Sequence, residues 1–248
     1  MLHLQNLSKS FGGLRAIRNL SVKVKQNDFL GIIGPNGAGK TTLLNLITGY
    51  QKLDAGEIFL DDKQIQGSRP FAICRMGIGR TFQVVRPFAE MSVEENVMTG
   101  ALFSSPRYVS VDEGRERAAV HLKQAGLWHK RASLAGTLTL GEKKKLELAR
   151  ALATRPRILL VDEVMGGLTR SDVDELVVVL REIHASGMTI VMIEHVLEAI
   201  VQLAAHIVVL NFGEKLFEGS PNDVFRHPSV IEAYLGRPLR TKAAVAPL

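Results

Sequence analysis

The 248-residue chain has one cysteine, Cys74, so no disulfide can form within it. That excludes a cystine-stapled scaffold and fits a reducing cytosol, with Cys74 read as a small core hydrophobe. Aromatics are scarce: ten Phe, three Tyr and one Trp. They do not alternate with basic runs, which argues against a base-stacking platform and against nucleic acid as a partner. No apolar run approaches the roughly 20 residues that cross a bilayer. The opening Met1–Leu7 lacks a basic stretch followed by an apolar one, so no secretion signal is read there. The net charge of +6 is scattered, with one local cluster at Lys143-Lys144-Lys145 that reads as a solvated helix face. Hydrophobic content of 46% with 23% charged residues is that of an ordinary globular protein with a sizeable core.

Against that background stands Gly34-Pro35-Asn36-Gly37-Ala38-Gly39-Lys40-Thr41, which fits the pattern G-x-x-x-x-G-K-[ST] at every required position. Glycines at this spacing let backbone N–H groups turn inward around phosphate oxygens. Lys40 adds a charge that can reach the β- and γ-phosphates, and the Thr41 hydroxyl can hold Mg²⁺. The flanks agree: Phe29–Ile33 reads as a buried strand, and Thr42–Ile47 as a helix stopped by Gly49. A helix N-terminus adds its own attraction for anions. A nucleotide is therefore the expected ligand.

Three zones follow along the chain. Leu2–Leu7, Leu20–Val24 and Glu57–Leu60 alternate as short strands of a β layer, with Phe11-Gly12-Gly13 read as a loop between the first two. From about residue 87 to 153 the pattern turns helical. Ser92-Val93-Glu94-Glu95 and Ser110-Val111-Asp112-Glu113 have capping-box form, and Ala118, Ala119, Leu122 and Ala125 share a face. Continuous apolar runs then return at Ile158–Val161, Met188–Ile193 and Ile207–Leu210, as a parallel sheet buried on both faces requires. The expected organisation is one domain: a core with β layer over 1–86 and 154–236, a helical insertion over 87–153, and a frayed tail over 237–248.

The run Ile158-Leu159-Leu160-Val161 ends in Asp162-Glu163. Alone this is a strand closing on an acidic turn. Open parallel sheets, however, bind ligands beyond the carboxyl ends of their strands. Asp162 is thus expected to face the Mg²⁺ near Thr41, and Glu163 to orient and deprotonate a water aimed at the γ-phosphate.

Together with Leu138-Thr139-Leu140-Gly141-Glu142 and the helix that follows, these residues resemble the ATP-binding cassette ATPases, whose signature segment reads L-S-G-G-Q. The resemblance spans Leu2 to about Gly236. It implies an α/β phosphate-loop NTPase fold with a RecA-like core, an N-terminal antiparallel β layer and an inserted helical subdomain. It also implies ATP and Mg²⁺ as ligands. Phe11 would stack on adenine; Gly34, Pro35, Asn36, Gly37, Ala38, Gly39, Lys40, Thr41 and Thr42 would cradle the phosphates; Thr139 and Gly141 would meet the nucleotide of a second subunit. Gln83 would touch Mg²⁺ and the attacking water, and His195 would contact the γ-phosphate. Two departures stand out. Leu140 and Glu142 replace a glycine and a glutamine of the signature, so a carboxylate approaches a phosphate site, a charge that the Lys143–Lys145 cluster can offset. Val164-Met165-Gly166-Gly167-Leu168-Thr169 lacks the proline and the aspartate usual after the acidic pair.

Ser8–Leu14, Gly79–Gln83, Pro87–Asn96 and Val230–Gly236 are most similar to the ATPases of branched-chain or hydrophobic amino-acid importers. That subgroup implies a head-to-tail homo- or heterodimer on the cytoplasmic face of the cell membrane. It would work with integral-membrane permease subunits docked near Gln83 to Asn96 and, indirectly, a solute-binding protein. An ATPase of a lipid-type exporter and a soluble non-transport ATPase of the same fold remain alternatives. A GTP switch would want an N-K-x-D motif, which the sequence lacks.

Overall fold

The computed structural model describes residues 1–104 and 107–235. The expected tail over 237–248 therefore lies outside the described residues, as does part of the expected loop at Ser104-Ser105-Pro106.

Strands β1 (Leu2–Phe11) and β2 (Leu14–Val24) form a long hairpin. Phe11 is not in a loop: it ends β1 and pairs with Leu14, so Gly12-Gly13 alone makes the turn, with Gly12 at a φ of 56° that suits glycine. Both strands run further than their apolar alternation suggests, because irregular pairing between Leu4 and Ser10 repeatedly shifts which residues face inward. After β3 (Phe29–Ile33) and helix α1 (Lys40–Ile47) come β4 (Ala55–Leu60) and β5 (Lys63–Gln64). These complete an antiparallel sheet of order β2-β1-β4-β5.

A short helix α2 (Pro70–Arg75) and strand β6 (Ile78–Arg80) lead into three helices, α3 (Val93–Phe103), α4 (Val111–Gln124) and α5 (Leu140–Ala153). Ser92 caps α3 with a complete capping box: its hydroxyl accepts from Glu95 N, and Glu95 Oε2 accepts from Ser92 N. The Ser110 hydroxyl caps α4 in the same way, but Glu113 pairs with the buried Arg117 and with Arg107, so the reciprocal arm is missing. Gly114 lies against Leu102, where a Cβ would come within 2.8 Å, which lets α3 and α4 approach closely. The inward face of α4 holds Gly114, Arg117, Ala118 and Leu122, with Ala119 half-exposed.

The chain then completes the second sheet with β7 (Ile158–Asp162), α6 (Arg170–Ala185), β8 (Thr189–Ile193), α7 (Leu197–Leu203), β9 (His206–Asn211) and β10 (Glu214–Gly219), followed by α8 (Pro221–Arg226) and α9 (Pro228–Leu235). The order is β10-β9-β3-β8-β7-β6, parallel except for β10. Its strands bury both faces. Leu160, Ile32, Ile193 and Val208 face α1 and the antiparallel sheet; Leu159, Val161, Met192 and Val209 face α5, α6 and α7. A third cluster, including Val97, Leu122 and Leu146, belongs to the insertion: α3, α4, α5 and the segment between α4 and α5 that carries Leu127, Ala135 and Leu138. The α/β class, the antiparallel layer and the helical insertion all agree with the sequence-based expectation.

Candidate nucleotide site at the carboxyl edge of the parallel sheet

The loop from Gly34 to Gly39 joins β3 to the N-terminus of α1. Glycine is needed at Gly34, where a Cβ would stand 2.1 Å from the Leu210 carbonyl, and at Gly39, which has φ 102° and would meet the Ala16 carbonyl at 2.4 Å. Lys40 is buried, and its Nζ donates to the carbonyls of Gly34 at 2.7 Å and Pro35 at 3.0 Å. Burial lowers its pKa, against an opposing pull from Glu163 and Asp162. Thr41 and Asn36 are exposed at the mouth of the loop.

This loop lines a cleft of about 550 Å³ together with Phe11, Thr42, Gln83, Glu163 and His195, residues from five separate stretches of sequence. Phe11 is 43% exposed there, with the Lys9 ammonium 5.4 Å from its ring centroid. Arg15, Arg18 and Phe212 line the same cleft; sequence reasoning missed them, since an isolated arginine or a turn phenylalanine carries no motif.

Glu163 lines the cleft between Gln83 and His195. One carboxylate oxygen accepts from Gln83 Nε2 at 2.6 Å, and the other lies 2.8 Å from His195 Nε2. Its φ of 46° is a left-handed conformation costing about 1–3 kcal/mol. The backbone is pinned there: Glu163 N donates to the Ile193 carbonyl at 2.9 Å, and the Glu163 carbonyl accepts from Lys144 Nζ at 3.3 Å.

Asp162, at the end of β7, points away from this triad. Its Oδ2 pairs with Arg80 at 2.7 Å, both side chains being buried, while Oδ1 is buried without a partner. Burial pushes the Asp162 pKa up, opposed by Arg80. Arg80 is held in turn by Asn45 and Thr48 and lies over the rings of Phe82 and Tyr50. Asp162 shares a second cleft of about 460 Å³ with Thr41 and Gln83, so those two residues border both spaces. Glu194, the residue after the neighbouring strand β8, was missed by sequence reasoning. Buried, it accepts from the N–H groups of Met165 at 2.7 Å and His195 at 3.1 Å, and burial raises its pKa.

Thr139 and Gly141 line neither cleft. They open α5, where Thr139 and Glu142 form a capping box: Glu142 N donates to the threonine hydroxyl at 3.3 Å, and Glu142 Oε2 accepts from Thr139 N at 2.9 Å. The other oxygen of Glu142 pairs with Lys130. Burial would raise the Glu142 pKa, but Lys130 and Thr139 outweigh it and hold the carboxyl below its usual range. The charge of Glu142 is thus turned inward and met by Lys130, not by Lys143-Lys144-Lys145. Nor is that cluster a solvated face. Lys144 is 3% exposed and Lys145 pairs with Glu175, because α5 packs against the core on the side where Gly141, Lys144 and Leu148 align. Gly141 must stay small, since a Cβ there would meet the Asp172 carboxylate at 2.7 Å.

The parallel sheet, the phosphate loop at its carboxyl edge and the acidic strand end beside it define a phosphate-loop NTPase with a helical insertion. Residues 17–166 match the ABC transporter family model, and the chain belongs to that family as an ATPase. Residues 214–239 match a second model, described as branched-chain amino acid ATP-binding cassette transporter. Among curated relatives, the high-affinity branched-chain amino acid transport ATP-binding protein BraF of Pseudomonas aeruginosa is 38% identical, covering 95% of this chain and 98% of its own length. LivG of Escherichia coli K12 is 38% identical over the same shares. The ADP conformation of MJ1267, an ATP-binding cassette of an ABC transporter, superposes with a TM-score of 0.87 at 33% identity, covering 96% of this chain and 99% of that one. A dimeric cassette, MJ0796, gives 0.81 at 27% identity, covering 89% of this chain and 99% of that one.

Proposed function

We propose that this chain drives an importer of branched-chain or other hydrophobic amino acids by hydrolysing ATP between two ATPase subunits. The observation that carries the catalytic part is the Glu163 carboxylate, held between Gln83 and His195 in the phosphate-loop cleft. The N–H groups of the loop and the α1 N-terminus bind the phosphates. Lys40 exchanges the carbonyls of Gly34 and Pro35 for the β- and γ-phosphates, which gives its buried charge an anionic partner. Phe11 stacks on adenine.

Thr41, Gln83 and the unpartnered Oδ1 of Asp162 fit a magnesium ion, which when bound supplies charge neutralisation at the β- and γ-oxygens. Among the described residues no group of three or more His, Cys, Asp or Glu could hold a metal unaided, so its affinity depends on the phosphates. Glu163 takes the proton of the attacking water, with Gln83 fixing the direction of its carboxylate. His195, on the other oxygen, turns to the γ-phosphate.

Among the described residues no helix is long and apolar enough to cross a membrane. In this reading the chain docks on the cytoplasmic side of permease subunits, with a solute-binding protein delivering the amino acid. The names of BraF and LivG and the match over 214–239 support that substrate class. Glu163→Gln keeps ATP binding, lowers turnover by a factor on the order of 10² or more, as loss of a general base does, and accumulates an ATP-bound dimer seen by light scattering. Wild-type turnover in that variant would reject Glu163 as the base.

A further inference from the structure

Helix α5 carries two kinds of contact on one rigid rod. At its start lie the exposed N-cap Thr139 and, in the first turn, Gly141 packed against Asp172. One turn on, about 5–8 Å along the axis, Lys144 is 3% exposed. Its Nζ donates to the main-chain carbonyl of Gln83 at 2.7 Å and to that of Glu163 at 3.3 Å. The side chains of those same two residues are hydrogen-bonded to each other at 2.6 Å. Lys144 therefore closes a ring through three segments: the stretch after β6, the turn after β7, and α5. Glu194, Glu147, Asp162 and Glu163 supply the negative field around it. Burying an ammonium is costly without such partners. Its neighbours show the ordinary alternative, since Lys143 is half-exposed and Lys145 reaches out to Glu175. What Lys144 grips is also specific. Glu163 is one of seven described non-glycine residues at positive φ, and Lys144 holds the carbonyl side of that conformation while Ile193 holds the N–H side.

We propose that Lys144 is a positioning residue that transmits displacement at Thr139 and Gly141 along α5 to Gln83 and Glu163 of the same chain. The inference deepens the reading of Glu163 as the base and rests on it. A partner subunit's nucleotide pressing on the start of α5 shifts the rod, and Lys144 pulls two carbonyls with it. The direction of the Glu163 carboxylate then depends on whether the signature end is engaged. Without the ammonium, Glu163 relaxes out of its left-handed conformation and the carboxylate turns away from the water it should take a proton from.

The test uses steady-state ATP hydrolysis by the full chain, with ATP affinity by calorimetry and folding by circular dichroism. Lys144→Met keeps length and removes the donors. It lowers kcat tenfold or more, leaves ATP affinity within twofold, and brings the Hill coefficient for ATP towards one. Lys144→Arg restores kcat to within threefold, and Lys143→Met changes nothing. If Lys144→Met does not fold, Lys144→Gln, whose shorter amide reaches only one carbonyl, carries the same expectation. A folded Lys144→Met or Lys144→Gln with kcat within twofold of wild type overturns the proposal. So does an equal loss in Lys144→Arg. Glu163→Gln run alongside separates the two readings: if it retains turnover, the base assignment fails whatever Lys144 does. If it is inactive while the Lys144 variants are not, only the positioning role fails.

Discussion

At the scale of single residues, the polar groups at the sheet edge are governed by partners far away in sequence. Asp162 and Glu163 are adjacent, yet one turns to Arg80 and the other to Gln83 and His195. The motif was legible because strand, glycine loop and lysine are contiguous. Arg80 was not, since nothing in the sequence near residue 80 shows that it lies beside Asp162. Tyr234 makes a similar point. It lies in the last turn of α9, and partial burial pushes its phenol up to about 12, with a hydrogen bond from Gly34 in the phosphate loop pulling the other way. The folded chain therefore disfavours the phenolate. Stability falls as pH rises from the ordinary tyrosine value towards 12, because the unfolded chain ionises first. Ultraviolet titration after a rapid pH jump shows one of the three tyrosines ionising late, and Tyr234→Phe removes that late step. Three phenols titrating together would contradict the burial.

At the scale of elements, helix starts were read well and helix faces less well. Ser92, Ser110 and Thr139 each cap a helix, as local chemistry dictates. Whether the second arm of the cap closes is decided by competition: Glu95 and Glu142 return to the cap, while Glu113 is drawn off by Arg117. Ser92→Ala is expected to cost about 1 kcal/mol, measured as a lower denaturant midpoint at unchanged slope. An unchanged midpoint would show that the capping box contributes nothing. The misreading of Lys143–Lys145 has the same origin. Lys144 falls three residues after Gly141 and four before Leu148, so the helical period sets it on the side of α5 that packs against the core.

At the scale of the whole molecule, one parallel sheet separates two cores, and the helical insertion has a third of its own. Alternating residues of β7 feed different cores, so a cavity in that strand is felt throughout. Leu160→Ala should destabilise the chain by about 2–5 kcal/mol, measured by denaturant unfolding. Leu122→Ala lies in the insertion's own cluster. It is expected to destabilise by a comparable amount and leave ATP affinity, read by calorimetry, unchanged. Lost affinity in Leu122→Ala would mean that the insertion shapes the phosphate loop directly.

The sequence by itself determined the α/β class, the phosphate loop and the capped helix starts, because each depends on residues close along the chain and on hydrophobic period. Only the tertiary structure decided that Arg80 takes one oxygen of Asp162, that Lys130 meets Glu142, and that Lys144 reaches inward to Gln83 and Glu163. Those pairings join segments from a dozen to more than eighty residues apart, where burial and competition among charges, not local propensity, choose the partner.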